Sequence, residues 1–201
     1  MATWPRVLAL AALCAAAGCF NEPEPAYKSV PAENRVYLKE KGLGDLSSVG
    51  DAFKAGAAID YLNLDRNELT NVGEVASLTG LKWLRLNGNK LSELPDLKAL
   101  ASLRRVYLRN NRFETVPETL RDLPSLTDID FSGNPIKEIP GWLAEKKGLK
   151  NLSFSRTQVT RLPDNLSAWK SLQSLQLGDL PISAAEMARI RKALPDVAIV
   201  F

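Results

Sequence analysis

Apolar residues recur along the middle of the chain in a short, repeated pattern. The first apolar residues of six successive units are Ile59, Leu81, Leu103, Leu126, Leu149 and Leu172. They are 22 or 23 residues apart, and after each of them apolar residues alternate with others, as in "LKWLRL" and "LRRVYL". That alternation is the period of a short strand with one buried face. One strand cannot bury such a face alone, so the pattern predicts units that stack into a parallel sheet over a continuous core.

Asparagine recurs three residues after the last apolar residue of the strand in four units. The four are Asn67, Asn89, Asn111 and Asn134. A buried amide there can hydrogen-bond the turned backbone of its own coil and of the next one, where each unsatisfied group would otherwise cost about 1 to 3 kcal/mol. We therefore expect these asparagines to be structural. Thr157 and Leu180 occupy the next two such positions, so regular coils are expected from about 59 to 163.

The combined pattern L-x-x-L-x-L-x-x-N-x-L resembles that of leucine-rich repeat proteins. The resemblance implies an α/β solenoid, a curved fold with a parallel sheet on its concave face, irregular or short helical convex arms, and helical caps at both ends. It covers residues 59–182 strongly. Residues 35–58 match loosely and are expected to form an N-terminal cap, and residues 183–201 a C-terminal cap.

The two caps carry local signals of their own. Ser183 and Glu186 have the spacing of a capping box at the start of a helix, and "VAIVF" at 197–201 is expected to close the open sheet edge as a last strand. At the other end, "SSVGDAFKAGA" at 47–57 is expected to form a short helix that covers the first coil.

The N-terminus has the features of an export signal. "MATWPR" supplies one positive charge, and the 12-residue apolar run "VLALAALCAAAG" is too short to span a bilayer but has the length of a signal-peptide core. The segment resembles a bacterial lipoprotein signal, in which small residues precede a cysteine that receives lipid and becomes the mature N-terminus. Ala17 and Gly18 precede Cys19 in this way, whereas Ala16 stands where a larger aliphatic residue is usual.

The lipoprotein resemblance implies a signal peptide at 1–18, lipid on Cys19 and a lipidated tether at 19–34. Phe20, rather than aspartate, after the cysteine implies an outer-membrane destination in a Gram-negative cell. The alternative is an ordinary secretory signal with Cys19 incidental. Both cysteines precede residue 20, so the exported body has no disulfide framework and must fold on its core alone.

Composition narrows the function classes. The 201 residues are 45% hydrophobic and 24% charged, as in one globular domain with an appendage, and the formal net charge of +3 makes no case for nucleic-acid binding. There is no histidine, which lowers the expectation of an enzyme. Asp128 and Asp130 would be the carboxylate pair of any enzyme or metal site, but hard cations want about six oxygens. We therefore predict no catalytic residue, cofactor or metal.

Residues between the inward leucines should line the concave face, where solenoids usually meet partners. Because stacking is parallel and in register, equivalent residues of successive units form rows of neighbours about 4.8 Å apart. The predicted partner-binding residues are Tyr61, Trp83, Arg85, Arg105, Tyr107 and Arg109, with Asp128 and Asp130 as an acidic border. Tyrosine, tryptophan and arginine are the types enriched among binding hot spots.

Two interpretations of this surface stay open. In one, an exposed Trp83 requires a partner, and Arg85 and Arg109 offer free cationic contacts because Arg105 has Asp128 beside it. In the other, the same side chains satisfy one another as lateral neighbours along the sheet. The predicted function is a monomeric, membrane-anchored, non-catalytic module that binds a protein or peptide through its concave face. The alternative is an envelope polysaccharide stacked on the concave aromatics.

Overall fold

The computed structural model describes residues 31, 34–49, 53 and 58–201. Within them, eight three-residue strands form one parallel sheet in which each strand pairs with the next along the chain. The strands are β1 (Arg35–Tyr37), β2 (Tyr61–Asn63), β3 (Trp83–Arg85), β4 (Arg105–Tyr107), β5 (Asp128–Asp130), β6 (Asn151–Ser153), β7 (Ser174–Gln176) and β8 (Ala198–Val200). The predicted solenoid, with its parallel sheet on one face, is confirmed.

The core runs along the inner side of this sheet. The central residues of β2 to β7 are all at most 2% exposed, and they are Leu62, Leu84, Val106, Ile129, Leu152 and Leu175. Each pairs with the central residue of the next strand, so a repeat of 22 or 23 residues becomes a column of touching apolar side chains. Repetition in the sequence is thereby converted into continuity of the core.

The convex arms return each strand to the next through short helical turns. They include 3₁₀ helices at Gly73–Ser77, Glu118–Leu120 and Leu166–Ala168, and the helix α1 (Gly141–Glu145). Pro117 and Pro140 directly precede two of these turns, and their backbone is extended. Proline suits this position because it has no N–H, and the N–H groups at the start of a helix have no partner within the helix.

Side chains on the convex side bind the backbone of the preceding arm. Trp169 is buried, and its Nε1 donates to the carbonyl of Leu143 at 2.8 Å. The Lys146 ammonium donates to the carbonyls of Leu123 at 2.6 Å and Arg121 at 3.0 Å. Burial lowers the pKa of Lys146. These contacts tie consecutive arms together where no sheet connects them.

The C-terminal cap consists of the helix α2 (Ala184–Ala193) followed by β8. Ser183 Oγ accepts the backbone N–H of Glu186 at 3.2 Å, as a cap should. The Glu186 carboxylate does not complete the capping box; it accepts the backbone N–H of Leu162 at 2.9 Å and the guanidinium of Arg189 at 2.7 Å. The Arg189 hydrogen bond lowers the pKa of Glu186. The acid thus joins the cap to the last regular coil.

Several expected N-terminal features lie outside the described residues. These are the signal peptide at 1–18, Cys19, the tether apart from Pro31 and Asn34, and most of the expected helix at 47–57. Phe53 of that stretch is described and is buried in the core. In the described part of the chain, no helix has the length and apolar character needed to cross a membrane.

The four asparagines are buried, and each joins two coils. Asn89 Nδ2 donates to the carbonyl of Leu86 in its own coil and to that of Leu64 in the preceding coil, both at 3.0 Å, and its Oδ1 accepts the N–H of Leu69 at 3.1 Å. Asn67, Asn111 and Asn134 repeat this arrangement. The expectation that each amide bridges to the next coil was wrong, since it reaches back to the previous one.

A left-handed turn places each asparagine. The residue before it has a positive φ of 54° to 71°, and these residues are Arg66, Gly88, Asn110 and Gly133. The turn reverses the chain just after the strand and aims the following side chain inward. At Gly133 a Cβ would meet Asn110 Oδ1, so a larger residue would have to displace that exposed side chain as well as adopt a positive φ.

Thr157 interrupts the ladder. It is 6% exposed, and among the described residues its hydroxyl has no hydrogen-bond partner. By the repeat, an asparagine at 157 would face the carbonyls of Phe131 and Phe154.

We expect Thr157→Asn to raise the free energy of unfolding by about 1 kcal/mol, the net value of a satisfied hydrogen bond. Thr157→Val, which replaces the unpaired hydroxyl with a methyl group of similar size, should be neutral or slightly stabilising. Asn111→Thr should lower the free energy of unfolding by about 1 to 3 kcal/mol, because it leaves the buried N–H of Leu91 without its acceptor and removes one of two amide donors from the carbonyls of Leu86 and Leu108. Urea unfolding followed by circular dichroism measures all three. A destabilised Thr157→Asn variant would show that the turn at 157 differs from the others.

Candidate partner-binding surface

The structure brings seven of the eight predicted site residues onto one face of the sheet, and Arg109 lies two residues beyond the end of β4. We call this set the concave patch: Tyr61, Trp83, Arg85, Arg105, Tyr107, Arg109, Asp128 and Asp130. Pairing in register forms one row of Tyr61, Trp83, Arg105 and Asp128, and a second that contains Arg85, Tyr107 and Asp130. Each row exists because the parallel strands have no offset.

The aromatic end of the patch is packed on itself. The ring centroids of Tyr37 and Tyr61 are 5.3 Å apart, and those of Tyr61 and Trp83 are 6.0 Å apart. The Arg105 guanidinium lies 4.3 Å from the centroid of the Trp83 ring, a cation–π contact. Tyr61 is 1% exposed and Trp83 is 8% exposed. The expectation of an exposed Trp83 was therefore wrong.

Arg85 belongs to an ion pair that crosses the rows. Its Nε and Nη2 reach Asp65 Oδ2 at 2.8 and 2.6 Å, and its guanidinium lies 5.8 Å from the Tyr107 ring. Asp65 is buried, and its other oxygen accepts the backbone N–H of Asn87 at 2.8 Å. The expectation that Arg85 offers a free cationic contact was therefore wrong. Arg85 pairs in register with Asn63, and Asp65 lies two residues further along that coil. The prediction considered only neighbours within a row, so it missed this acid.

The acidic border is also engaged with its neighbours. Asp128 is buried; its Oδ2 lies 3.5 Å from Arg105 Nε, and its Oδ1 accepts Asn151 Nδ2 at 2.6 Å. Asp130 Oδ1 accepts the backbone N–H of Ser132 at 2.8 Å. The described residues contain no cluster of three or more acids, cysteines or histidines that could hold a metal ion.

The two tyrosines of the patch are held neutral. Burial raises the pKa of Tyr61 to about 12, and burial also raises the pKa of Tyr107. Tyr107 is only half-buried. Its phenol is therefore a neutral hydrogen-bonding group that a partner can still reach.

Three arginines differ from the rest of this surface. Arg104, Arg109 and Arg112 are exposed, and in the described part of the chain no acidic side chain pairs with them. Arg109 was predicted from its row, whereas Arg104 and Arg112 lie outside the rows used for that prediction. The available signal was composition, since "RRVYLRNNR" at 104–112 contains four arginines in nine residues.

Comparison with known proteins places the fold. Residues 102–123, which include β4, match the family model described as Leucine Rich Repeat. A solved internalin (InlF) of Listeria monocytogenes is 19% identical, with a TM-score of 0.66 over 79% of this chain and 45% of its own. A leucine-rich repeat protein of Leptospira interrogans is 24% identical, with a TM-score of 0.43 over 83% of this chain and 60% of its own.

No curated protein matches the chain closely enough to count as a relative. The chain spans less than half the length of the internalin, and at that identity the likeness concerns the fold alone. Solenoids of stacked repeats present an extended concave surface that can serve for binding, but the fold alone does not fix a function. The repeated strands, the asparagine ladder and the match at 102–123 together identify the chain's architecture as a curved leucine-rich repeat solenoid.

Proposed function

We propose that the protein is a non-catalytic binding module that recognises a protein or peptide through its concave face. The observation that carries the proposal is the accessible part of the concave patch, where Tyr107 is half-buried and Arg109 is exposed on β4 and the loop after it. Tyrosine and arginine are hot-spot residue types, and here they stand at the middle strands of the sheet. Asp130 beside Tyr107 supplies an acceptor at the edge of the same surface.

The buried members of the patch act as its support. Tyr61 and Trp83 are packed among their neighbours, and Arg85 and Arg105 are held by carboxylates. A surface already fixed by such contacts loses little conformational freedom when a partner binds, which favours affinity. Mutual satisfaction of the side chains and partner binding are therefore compatible.

Polysaccharide binding remains the second candidate. It was predicted from three aromatic platforms, Tyr61, Trp83 and Tyr107. Because the first two are buried, only Tyr107 offers ring surface to a sugar. This favours a protein or peptide partner.

The proposal also includes an anchor. Residues 1–18 would be removed as a signal peptide, and lipid on Cys19 would hold the domain at the bacterial cell envelope, in the outer membrane of a Gram-negative cell. Two or more acyl chains give durable anchoring, which a single chain does not. The tether at 19–34 would then separate the solenoid, acting as a monomer, from the lipid surface. The support for this part is the sequence resemblance at "AAGCF".

We expect Tyr107→Ala and Arg109→Gln each to weaken binding of a concave-face ligand at least about fivefold, because ligand-contacting hot-spot residues cost about 1 kcal/mol or more when truncated. Peptides selected by display on the purified protein provide the ligand, and isothermal calorimetry measures the affinity. Lys170→Gln, an exposed cation on a convex arm, is the control and should bind normally. Ligands that bind both site variants as tightly as the wild type would place the binding surface elsewhere.

Trp83→Ala should lower the stability of the fold, in addition to any effect on binding. The ring is buried between Tyr61 and Arg105, so its removal should lower the free energy of unfolding by about 3 to 5 kcal/mol. Trp142→Ala, which removes a half-buried indole on the convex side, should cost clearly less. Chemical denaturation of both variants measures the difference. Equal stability of the wild type and Trp83→Ala would contradict the packed arrangement.

Cys19→Ser should release the protein from membranes of the cells that produce it. The reason is that the only proposed membrane attachment is lipid on the Cys19 sulfur. Fractionation and metabolic labelling with a fatty acid measure membrane association and acylation, and Cys14→Ser serves as the control. Continued membrane association, without an acyl label at residue 19, would overturn the lipid anchor but not the concave-face function.

A further inference from the structure

Three exposed arginines belong to one coil of the solenoid. Arg104 immediately precedes β4, while Arg109 and Arg112 follow it, and we call these three the arginine band. Arg104 and Arg109 are five residues apart, which in an extended chain is about 17 Å along the strand direction, and the left-handed turn at Asn110 lies between Arg109 and Arg112. Arg105 of the same coil is excluded from the band because it pairs with Asp128.

Neighbouring cations on the preceding coils have acidic partners. Lys82 pairs with Asp60 at 3.2 Å, Lys90 with Glu68 at 3.0 Å and Arg66 with Glu40 at 2.8 Å. In each pair the acid lies on the coil before the cation. Arg85 follows the same rule with Asp65. Each of these four cations is thus neutralised by an acid of the preceding coil.

The arginine band differs from these four cations because the equivalent positions on both neighbouring coils carry no acid. In the preceding coil, the equivalents of Arg104, Arg109 and Arg112 are Lys82, Asn87 and Lys90. In the following coil the equivalents are Thr127, Ser132 and Pro135. Two of the six neighbours are cations themselves, and they already have acids of their own. No acidic side chain among the described residues pairs with the band.

We propose that the band binds an acidic peptide segment of the partner, laid along β4 across the concave face. This rests on the proposed function and specifies the chemistry of the ligand. Guanidinium groups bind carboxylates through two parallel hydrogen bonds, so three arginines offer geometry as well as charge. Asp128 and Asp130 on β5 would repel the same ligand, which confines it to β4 and the side toward β3.

A peptide fits this surface better than an anionic sugar polymer. The flat aromatic faces that sugar rings use for stacking are covered at Tyr61 and Trp83. Tyr107 lies between Arg104 and Arg109 along the chain, and its hydroxyl can hydrogen-bond a peptide backbone. The surface therefore combines carboxylate binding with one neutral polar contact.

The test uses a fluorescent 12-residue peptide of alternating glutamate and glycine, its glutamine counterpart, and polygalacturonate as an anionic polysaccharide. The triple variant Arg104→Gln, Arg109→Gln, Arg112→Gln is compared with the triple variant Lys147→Gln, Lys170→Gln, Lys192→Gln. Both variants lose three positive charges, but the lysines of the second are exposed away from the strands. Full-length protein is used throughout, and fluorescence anisotropy measures peptide binding.

We expect the acidic peptide to bind at least about tenfold more tightly than the glutamine peptide. The arginine variant should lose that preference, whereas the lysine variant should keep it within about twofold. Raising the salt from 50 to 300 mM should weaken wild-type binding, since exposed charges are screened. Polygalacturonate should compete poorly with the peptide.

Three outcomes would overturn the proposal. The first is equal affinity for the two peptides, or no binding of either. The second is an equal loss of acidic-peptide affinity in the two triple variants. The third is tighter binding of polygalacturonate than of the peptide, with that binding dependent on the arginine band. A display-selected neutral peptide could lose affinity for Tyr107→Ala and yet bind the triple arginine variant as tightly as the wild type. That result would overturn the acidic partner while the concave-face function stands. If the selected ligands bind the triple arginine variant and Tyr107→Ala as tightly as the wild type, both the acidic partner and the concave-face function are overturned.

Discussion

A buried asparagine amide that ties each coil to the coil before it is the interaction on which the rest of this structure depends. Asn89 binds carbonyls of two coils at once and accepts an N–H from the earlier one. Without it the N–H of Leu69 would be buried and unpaired, and the carbonyls of Leu64 and Leu86 would each lose one of two amide donors. The amide therefore holds the turns of successive coils in line, and the strands that lead into those turns are held in register with them.

Register in turn decides which side chains become neighbours on the concave face. Because β3, β4 and β5 have no offset, Trp83 stands beside Arg105, and Arg105 stands beside Asp128. A shift by one residue would exchange the core leucines for these polar side chains, so the hydrophobic core and the concave patch are specified together. The same geometry that buries Leu84 and Val106 also presents Tyr107 to solvent.

On the convex side, successive coils are joined by different contacts. In the described coils this side has no continuous sheet, and its arms differ in length and helical type. Individual side chains replace the ladder there: Trp169 and Lys146 each donate to carbonyls of the preceding arm, and Arg189 does so from the C-terminal helix. The concave face is regular, so an excess of positive charge on one coil is easily recognised. The arginine band forms such an excess because no acid occupies the equivalent positions on the two neighbouring coils.

The amino-acid sequence alone determined the coil period, the direction of the strands and the members of each row, since a constant repeat with one apolar face leaves a single way to stack. It also indicated that Arg109 is a cation without an acidic neighbour in its row and that Arg105 pairs with Asp128, because both follow from the order of residues within a row. The tertiary structure decided what rows cannot express. Arg85 turns diagonally to Asp65, Trp83 lies between a ring and a guanidinium, and each asparagine reaches backward rather than forward. Those outcomes depend on side-chain directions and on the left-handed turn after each strand, which are fixed only when neighbouring coils are packed together.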